Sequence, residues 1–321
     1  MAAVTIFPAC AGMIGLRICL GFTKGLYLRR DINKYYNTYI TMILMHNIKD
    51  SDMKTKNKRG DHKCDCLTKS KCQCHIDIAG KDYTKSDMEC YSFIGSNLTK
   101  SNFDNALVSS TDFTKANLSD ATFKNSELVM ALFNETTASE TDFSNACLER
   151  AWFIKTDLRS AYMVGTTVYN TSFVSCDLSN KSFHGADLYA VRFNKSNLTD
   201  CVFNEAMMTE AELTVSDFTN VQFVGTTLSM VDFTGSNLSG ANFRKACLQE
   251  ASLKDTCLEG TDFTEADFRG ANLEGVDFSK ACVDNADFRG AKLKHTKFSS
   301  RDIKTDAYAQ SRWPMHSSNQ Y

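Results

Sequence analysis

Ala116-Asn117-Leu118-Ser119-Asp120, followed at once by Ala121-Thr122-Phe123-Lys124-Asn125, shows in ten residues the unit from which most of this chain is made. A small residue comes first, then a short polar one, then a large apolar centre, then two polar residues. Every fifth position from Phe93 to Phe298 is such a centre, with Ala138 the one small exception, giving 42 centres without an insertion or a deletion. Twenty of the 22 Phe fall on this register, so the Phe content of the chain is a property of the repeat. An internal repeat of this length decides the fold before any local propensity is weighed.

A strand turns alternate side chains to alternate faces, so the small residue and the centre, two apart, share the inward side. Five is odd, and a straight strand would send the next inward pair outward. The chain keeps every pair inward only by bending once per repeat, in the polar or Gly-containing pair after each centre, such as Thr114-Lys115 or Arg269-Gly270. Phe occupies 15 of the 21 centres ending in 3 and Leu 12 of the 21 ending in 8, an alternation over ten residues that requires an even number of sides. Four is the small even number that closes a compact tube. The expectation is about ten coils stacked by parallel ladders, a rod roughly 50 Å long at a spacing of about 4.8 Å.

The motifs Ala-(Asp/Asn)-Leu-x-x and x-(Asp/Asn)-Phe-x-x, as in Ala186-Asp187-Leu188 and Ala241-Asn242-Phe243, closely resemble those of the pentapeptide-repeat family over about two-thirds of the chain. The resemblance implies an all-β fold, a right-handed quadrilateral β-helix, here with a short, partly helical N-terminal extension.

The formal charge of −2 conceals a split: residues 1–75 carry 13 Lys and Arg against 5 acids, whereas 76–303 are acidic. Residues 1–75 read as a basic extension, 76–303 as the β-helix and 304–321 as a C-terminal cap or tail. In residues 1–30 the apolar run from Val4 to Phe22 is broken by Arg17, which suits neither a secretory signal nor a spanning helix. An organelle presequence is the alternative to a plain leader. Asp31 is placed to cap a helix over 31–48, with Ile32, Tyr36, Tyr39 and Ile43 on the side that would cover an open coil end. A Lys-rich linker follows. His62, Cys64, Cys66, Cys72, Cys74 and His75 then crowd together. Thiolates with imidazoles hold zinc or copper(I), but paired C-x-C spacings match structural zinc geometry poorly, so no cofactor is expected and a metal is the alternative. The register starts hesitantly at Ile78, Tyr83 and Met88, and the inward positions of this stretch include the large residues Ile76, Lys81 and Tyr91. Cys176 and Cys201 occupy small inward positions, where Cys serves as a compact hydrophobe. Reduced thiols favour a cytoplasmic setting.

Three departures from plain repetition are candidate sites. Large apolar residues stand at outward positions: with a 20-residue coil, Leu132 and Trp152 stack on one face, Val129, Tyr169 and Tyr189 line the corner before it, and Ile154 and Val174 the corner after it. Exposed apolar clusters mark contact sites, with Trp and Tyr the usual anchors. Secondly, no Lys or Arg occurs between Lys195 and Arg244, while Asp200, Glu205, Glu210, Glu212, Asp217 and Asp232 do. The family resemblance implies a use for such a surface, since some bacterial members present an acidic rod that mimics duplex DNA to a topoisomerase. Thirdly, beyond Phe263 and Phe268 the Phe move to positions ending in 8. Lys181 is the clear exception among the small inward residues.

No Gly-rich phosphate loop occurs, and His184 and His295 sit at bends without a paired nucleophile. A rod with like sides has no cleft that excludes water from a reaction. The chain therefore reads as a non-enzymatic protein-binding scaffold, with the acidic DNA mimic as its alternative. A protein partner is expected, with no direct nucleic-acid binding by the rod, no transmembrane segment, and dimerisation through the C-terminal end as an option.

Overall fold

The computed structural model describes residues 71–299 together with the backbones of two short strands, β1 (Thr5–Pro8) and β2 (Ile14–Arg17). The chain divides into two compact units, Met1–Lys69 and Ser70–Tyr321. In the first, β1 and β2 pair antiparallel with Thr5 opposite Arg17. The helix expected over 31–48, the Lys-rich linker, His62, Cys64, Cys66 and the tail 304–321 lie outside the described residues. Among the described residues no helix is long and apolar enough to cross a membrane.

The second unit is a right-handed quadrilateral β-helix. Its rungs are parallel pairs between residues twenty positions apart, starting at Cys72↔Ser92 and ending at Asp277↔Lys297. A strand that returns parallel to itself through a crossover does so with a right hand. Most rungs are a single residue wide because the chain bends again at once. Only β3 (Trp152–Ile154) and β4 (Ser172–Val174) lengthen to three residues among those of the coil.

The bend has one recurring form. After Phe113, for example, the Ala116 N–H donates to the Phe113 carbonyl at 2.9 Å, closing a four-residue turn. Its third residue, Lys115, has φ 59°. Positive φ at that position alone defines a type II turn. The same holds at Asp120 (58°), Met130 (60°) and Val215 (56°), although none is Gly. Left-handed backbone costs an L-residue about 1 kcal/mol or more. The ladder offsets it: the Lys115 N–H donates to Asn134 O at 2.8 Å in the next coil. Among turn residues 75–295, Ser160 and Lys280 alone lack positive φ.

Where the residue before a centre is Asp or Asn, it has a structural duty. The Asp112 carboxylate accepts the Thr114 N–H at 2.9 Å, and Asn117 accepts that of Ser119 at 3.1 Å. These are Asx turns, for which short side-chain acceptors are required.

Inside, two Phe columns face each other. Phe93 stacks on Phe113 with ring centroids 5.5 Å apart, and Phe103 meets Phe113 edge to face at 5.8 Å. The columns change sides where the sequence changes phase. Phe263 touches Phe268 at 5.1 Å, and new stacks run from Phe268 to Phe288 and from Phe278 to Phe298. Inward Ser and Thr are satisfied across coils: the Thr136 hydroxyl donates to Phe113 O at 2.9 Å, and Thr156 to Phe133 O at 2.6 Å. Cys176 and Cys201 do the same with their thiols, to Phe153 O and Leu178 O, each at 3.2 Å.

Two expectations need correction. The first coil is regular in its backbone: its rungs form from Cys72 onward, and Tyr83 stacks on Phe103 at 4.8 Å. Ile76 and Lys81 are tolerated there because they are exposed and do not fill an interior. Lys181 likewise does not point a charge into the tube. Its ammonium donates to the carbonyls of Arg159 (2.6 Å) and Ala161 (2.5 Å) in the preceding coil.

Candidate functional site

The outward apolar cluster is assembled by the ladder. Leu132 pairs with Trp152, and Trp152 with Ser172, so three successive coils place these residues one above another on one face. Arg192 forms the next rung above Ser172 and makes an ion pair with Glu212 at 3.3 Å. At the corner before this face, Tyr169 and Tyr189 stack with ring centroids 5.3 Å apart and planes 17° from parallel. Val129 stands lower on the same corner, and Ile154 and Val174 line the opposite one. Leu132, Trp152, Tyr169, Tyr189, Val129, Ile154 and Val174 are all half-buried.

Ser172 is covered, at 1% exposure, and its hydroxyl has no hydrogen-bond partner. The other unpartnered buried side-chain atoms among the described residues, Thr114 Oγ1 and Asn134 Oδ1, belong to the corner after this same face.

Other outward apolar residues escaped the sequence reading. Val164 is 74% exposed and Tyr162 52%, and Met207, Val215 and Met230 are exposed too. Each occupies an outward register position, so the rule that found Trp152 would have found them.

The acidic residues are distributed differently. Asp200, Glu205 and Glu210 occupy three successive corners of one coil, so they encircle it and do not share a face. Asp217 accepts the Thr219 N–H at 3.0 Å and hydroxyl at 2.6 Å, and Asp232 accepts the N–H of Thr234 at 2.9 Å. Both are turn-forming carboxylates, while Glu212 is engaged by Arg192.

Of the Cys and His cluster, Cys72, Cys74 and His75 lie in the first coil. The two cysteines stand either side of a centre position, on the outward side, and the Cys74 thiol lies 3.1 Å from the Ser92 hydroxyl. Burial pushes the Cys74 thiol up to about 11, with the neighbouring Cys72 adding to the shift. The His75 ring lies over Gly95, where a Cβ would come within 2.5 Å of it. Among the described residues no group of three His, Cys, Asp or Glu is placed to hold a metal. Burial pushes the thiols of Cys176 and Cys201 up to about 12, which makes them poor nucleophiles.

The chain matches the family profile described as pentapeptide repeats over residues 92–128, 116–151, 142–180 and 182–220. It matches the pentapeptide repeat region profile over 231–306, and together these spans exceed half of the chain. No curated protein matches it in sequence. Among solved structures it is similar to HetL, a pentapeptide repeat protein involved in heterocyst differentiation regulation from the cyanobacterium Nostoc. That likeness has 20% identity over 71% of this chain and 90% of that one, with a TM-score of 0.30. It is similar to QnrB1, a plasmid-mediated fluoroquinolone resistance protein, at 16% identity over 72% and 93% of the two chains, TM-score 0.27. A pentapeptide repeat protein of the Arabidopsis thaliana thylakoid lumen is 30% identical over 37% of this chain and 68% of that one, TM-score 0.15.

Proposed function

This chain belongs to the pentapeptide-repeat family, and from that premise we propose that it is a non-enzymatic protein-binding scaffold working through the outer surface of its β-helix. The observation that carries the reading is the Leu132–Trp152 face with the stacked Tyr169–Tyr189 pair at its corner. Trp and Tyr contribute large contact area and dominate binding energy at interfaces. Here they project from a backbone bonded on both sides by neighbouring coils, so little conformational entropy is lost when a partner docks. The buried, protonated thiols of Cys176 and Cys201 accord with a cytoplasmic setting.

The acidic alternative has less support. A DNA mimic needs charge arrayed along the axis, whereas Asp200, Glu205 and Glu210 run around one coil and Asp217 and Asp232 hold turns. The two readings separate by salt: contacts made by exposed charges weaken steeply with ionic strength, and an aromatic contact does not.

Affinity capture with the full chain tests this directly, using wild type, Trp152→Asp/Tyr169→Asp and Asp200→Lys/Glu210→Lys, with circular dichroism to confirm folding. The scaffold reading expects a captured protein that the aromatic variant loses, that the acidic variant keeps, and that survives 0.5 M-scale salt, roughly three Debye-length halvings above dilute buffer. Loss by the acidic variant alone, of a partner that binds DNA, would overturn it in favour of mimicry.

A further inference from the structure

We infer that the β-helix contains a built-in joint, propped open by Lys181, between the coil bearing Tyr162–Val168 and the coil bearing Lys181–Leu188. Rungs are regular at the levels directly below and above, and among the described residues Cys257 and Asp277 are the one other pair of the register without a rung. Asp142 pairs with Tyr162 and Cys147 with Thr167 below, and Ser182 pairs with Val202 and Asp187 with Met207 above. Between the two coils, Tyr162 and Ser182 form no rung, and neither do Thr167 and Asp187. Two adjacent faces have thus lost their ladder at one level.

The cause lies in two residues. The small inward position at 181 holds a Lys, whose four-carbon stem cannot fit where its counterpart one coil below is Ala161. The side chain runs outward along the coil, and its ammonium takes the carbonyls of Arg159 and Ala161. At a regular level the Ala161 carbonyl would accept the Ser182 N–H, as Ala121 O accepts that of Asp142 at 2.9 Å. The Arg159 carbonyl would accept the Glu140 N–H, but that N–H donates instead to the Ser160 hydroxyl at 3.1 Å. Ser160 has left the positive-φ conformation that every other turn of the coil except Lys280 keeps, and this leaves the Arg159 carbonyl to Lys181. The prop and the altered turn are two halves of one arrangement.

The other two faces stay closed and act as the hinge. Trp152 pairs with Ser172 and Asp157 with Asp177, and Phe153 stacks on Phe173 at 5.0 Å. On the Phe103 side the ring column is interrupted by Met163, so no ring stack bridges the gap inside the tube, and the Tyr169–Tyr189 stack spans it only on the outer corner. Val164, the most exposed of the large apolar residues described, lies on its lip. The two edges meet again where the Asn170 N–H donates to Tyr189 O at 3.0 Å. A solenoid's stability is the sum of its nearest-neighbour interfaces, so a level with half its rungs missing is where it opens first.

Hydrogen exchange on the full chain tests the joint. The amides of Met163, Gly165, Ser182 and Asp187 are expected to exchange about 100-fold or more faster than those of Phe143, Asn145, Val202 and Met207, their equivalents at intact levels. Lys181→Ser, which installs the hydroxyl found at other inward positions, is expected to slow the first set by about tenfold or more. Ser160→Gly, which restores the positive-φ turn without strain, is expected to act in the same direction. Equal protection of the two sets in wild type would overturn the joint. A folded Lys181→Ser or Ser160→Gly protein whose first set still exchanges as fast as wild type would overturn the prop.

Discussion

Phe103 and Phe123, one coil apart, stack with their ring centroids 4.7 Å apart and their planes 1° from parallel. Each also meets Phe113 edge to face, at 5.8 and 5.5 Å. The interior is therefore a continuous aromatic packing in which each ring supports several others. Phe123→Ala is expected to cost about 3–5 kcal/mol, because the ring fills a closed tube that cannot collapse around the loss. Urea unfolding followed by circular dichroism measures it. A cost below about 1 kcal/mol, as at exposed positions, would contradict this packing.

The hydroxyl of Thr136 donates to Phe113 O, a carbonyl that also accepts the Ala116 N–H. Replacing it with an isosteric methyl leaves the carbonyl one partner. Thr136→Val should therefore cost only about 1 kcal/mol, the net worth of an ordinary hydrogen bond. The urea midpoint of Thr136→Val against wild type gives the answer. A loss of more than about 3 kcal/mol would mean that the hydroxyl satisfies something else.

Acid should loosen the coil through its turn carboxylates. Hydrogen bonds from the Arg159 and Arg289 guanidinium groups hold the carboxyls of Asp157 and Asp287 below the usual carboxylate range. A group whose folded value is depressed contributes stability above its unfolded value, about 3.9, and loses it as pH falls through the lower folded value. The urea midpoint should then be flat from neutrality to about pH 5 and fall below about pH 4. Asp157→Asn/Asp287→Asn keeps both Asx acceptors for the N–H groups of Arg159 and Arg289, at 3.0 Å each, and should make that fall shallower. An unchanged pH profile in the double variant would refute the assignment.

Val215 holds φ 56° with its side chain 58% exposed. A β-branched residue in the left-handed region is strained by about 1–3 kcal/mol, and its exposed side chain returns little by packing. Val215→Asn should raise stability by about 1 kcal/mol, since Asn tolerates this conformation. Thermal unfolding of the variant decides it, and a lower melting temperature would mean that the Val side chain packs usefully against its neighbours.

The fold was legible because one number, five, fixes which side chains face inward and where the chain bends. Even the shift of the Phe columns near Phe263 could be read from positions alone. The satisfaction of inward polar residues could not, because Thr136 finds its acceptor 23 residues back, a spacing that appears only once the coil is closed. Nor does composition reveal that the turn after each centre is left-handed at Lys115 as much as at Gly270. The ladder imposes that conformation on whatever residue stands there. Lys181 was visible as an exception, but its effect depends on Ser160, a residue that looks ordinary in the repeat. Of the outward apolar residues, Trp152 and the tyrosines that stack were named from position alone, and Tyr162, Val164, Met207, Val215 and Met230, spread over other faces and corners of the coil, were passed over. The acidic residues were found, but their arrangement around one coil needs the four-sided geometry to be seen.

Four sides of five residues also set the step by which such a chain can change length. Inserting or deleting twenty residues leaves every later side chain facing the direction it faced before. A change of five rotates the whole downstream surface by a quarter turn while the backbone continues undisturbed, so a binding face can be redirected without refolding anything. The Phe columns that leave one pair of walls at Phe263 and resume on the other at Phe268 are offset by that same quarter turn. The interior thus keeps a trace of a rotation, and the outside marks the same level by the rung missing between Cys257 and Asp277 and by the turn at Lys280, which lacks positive φ.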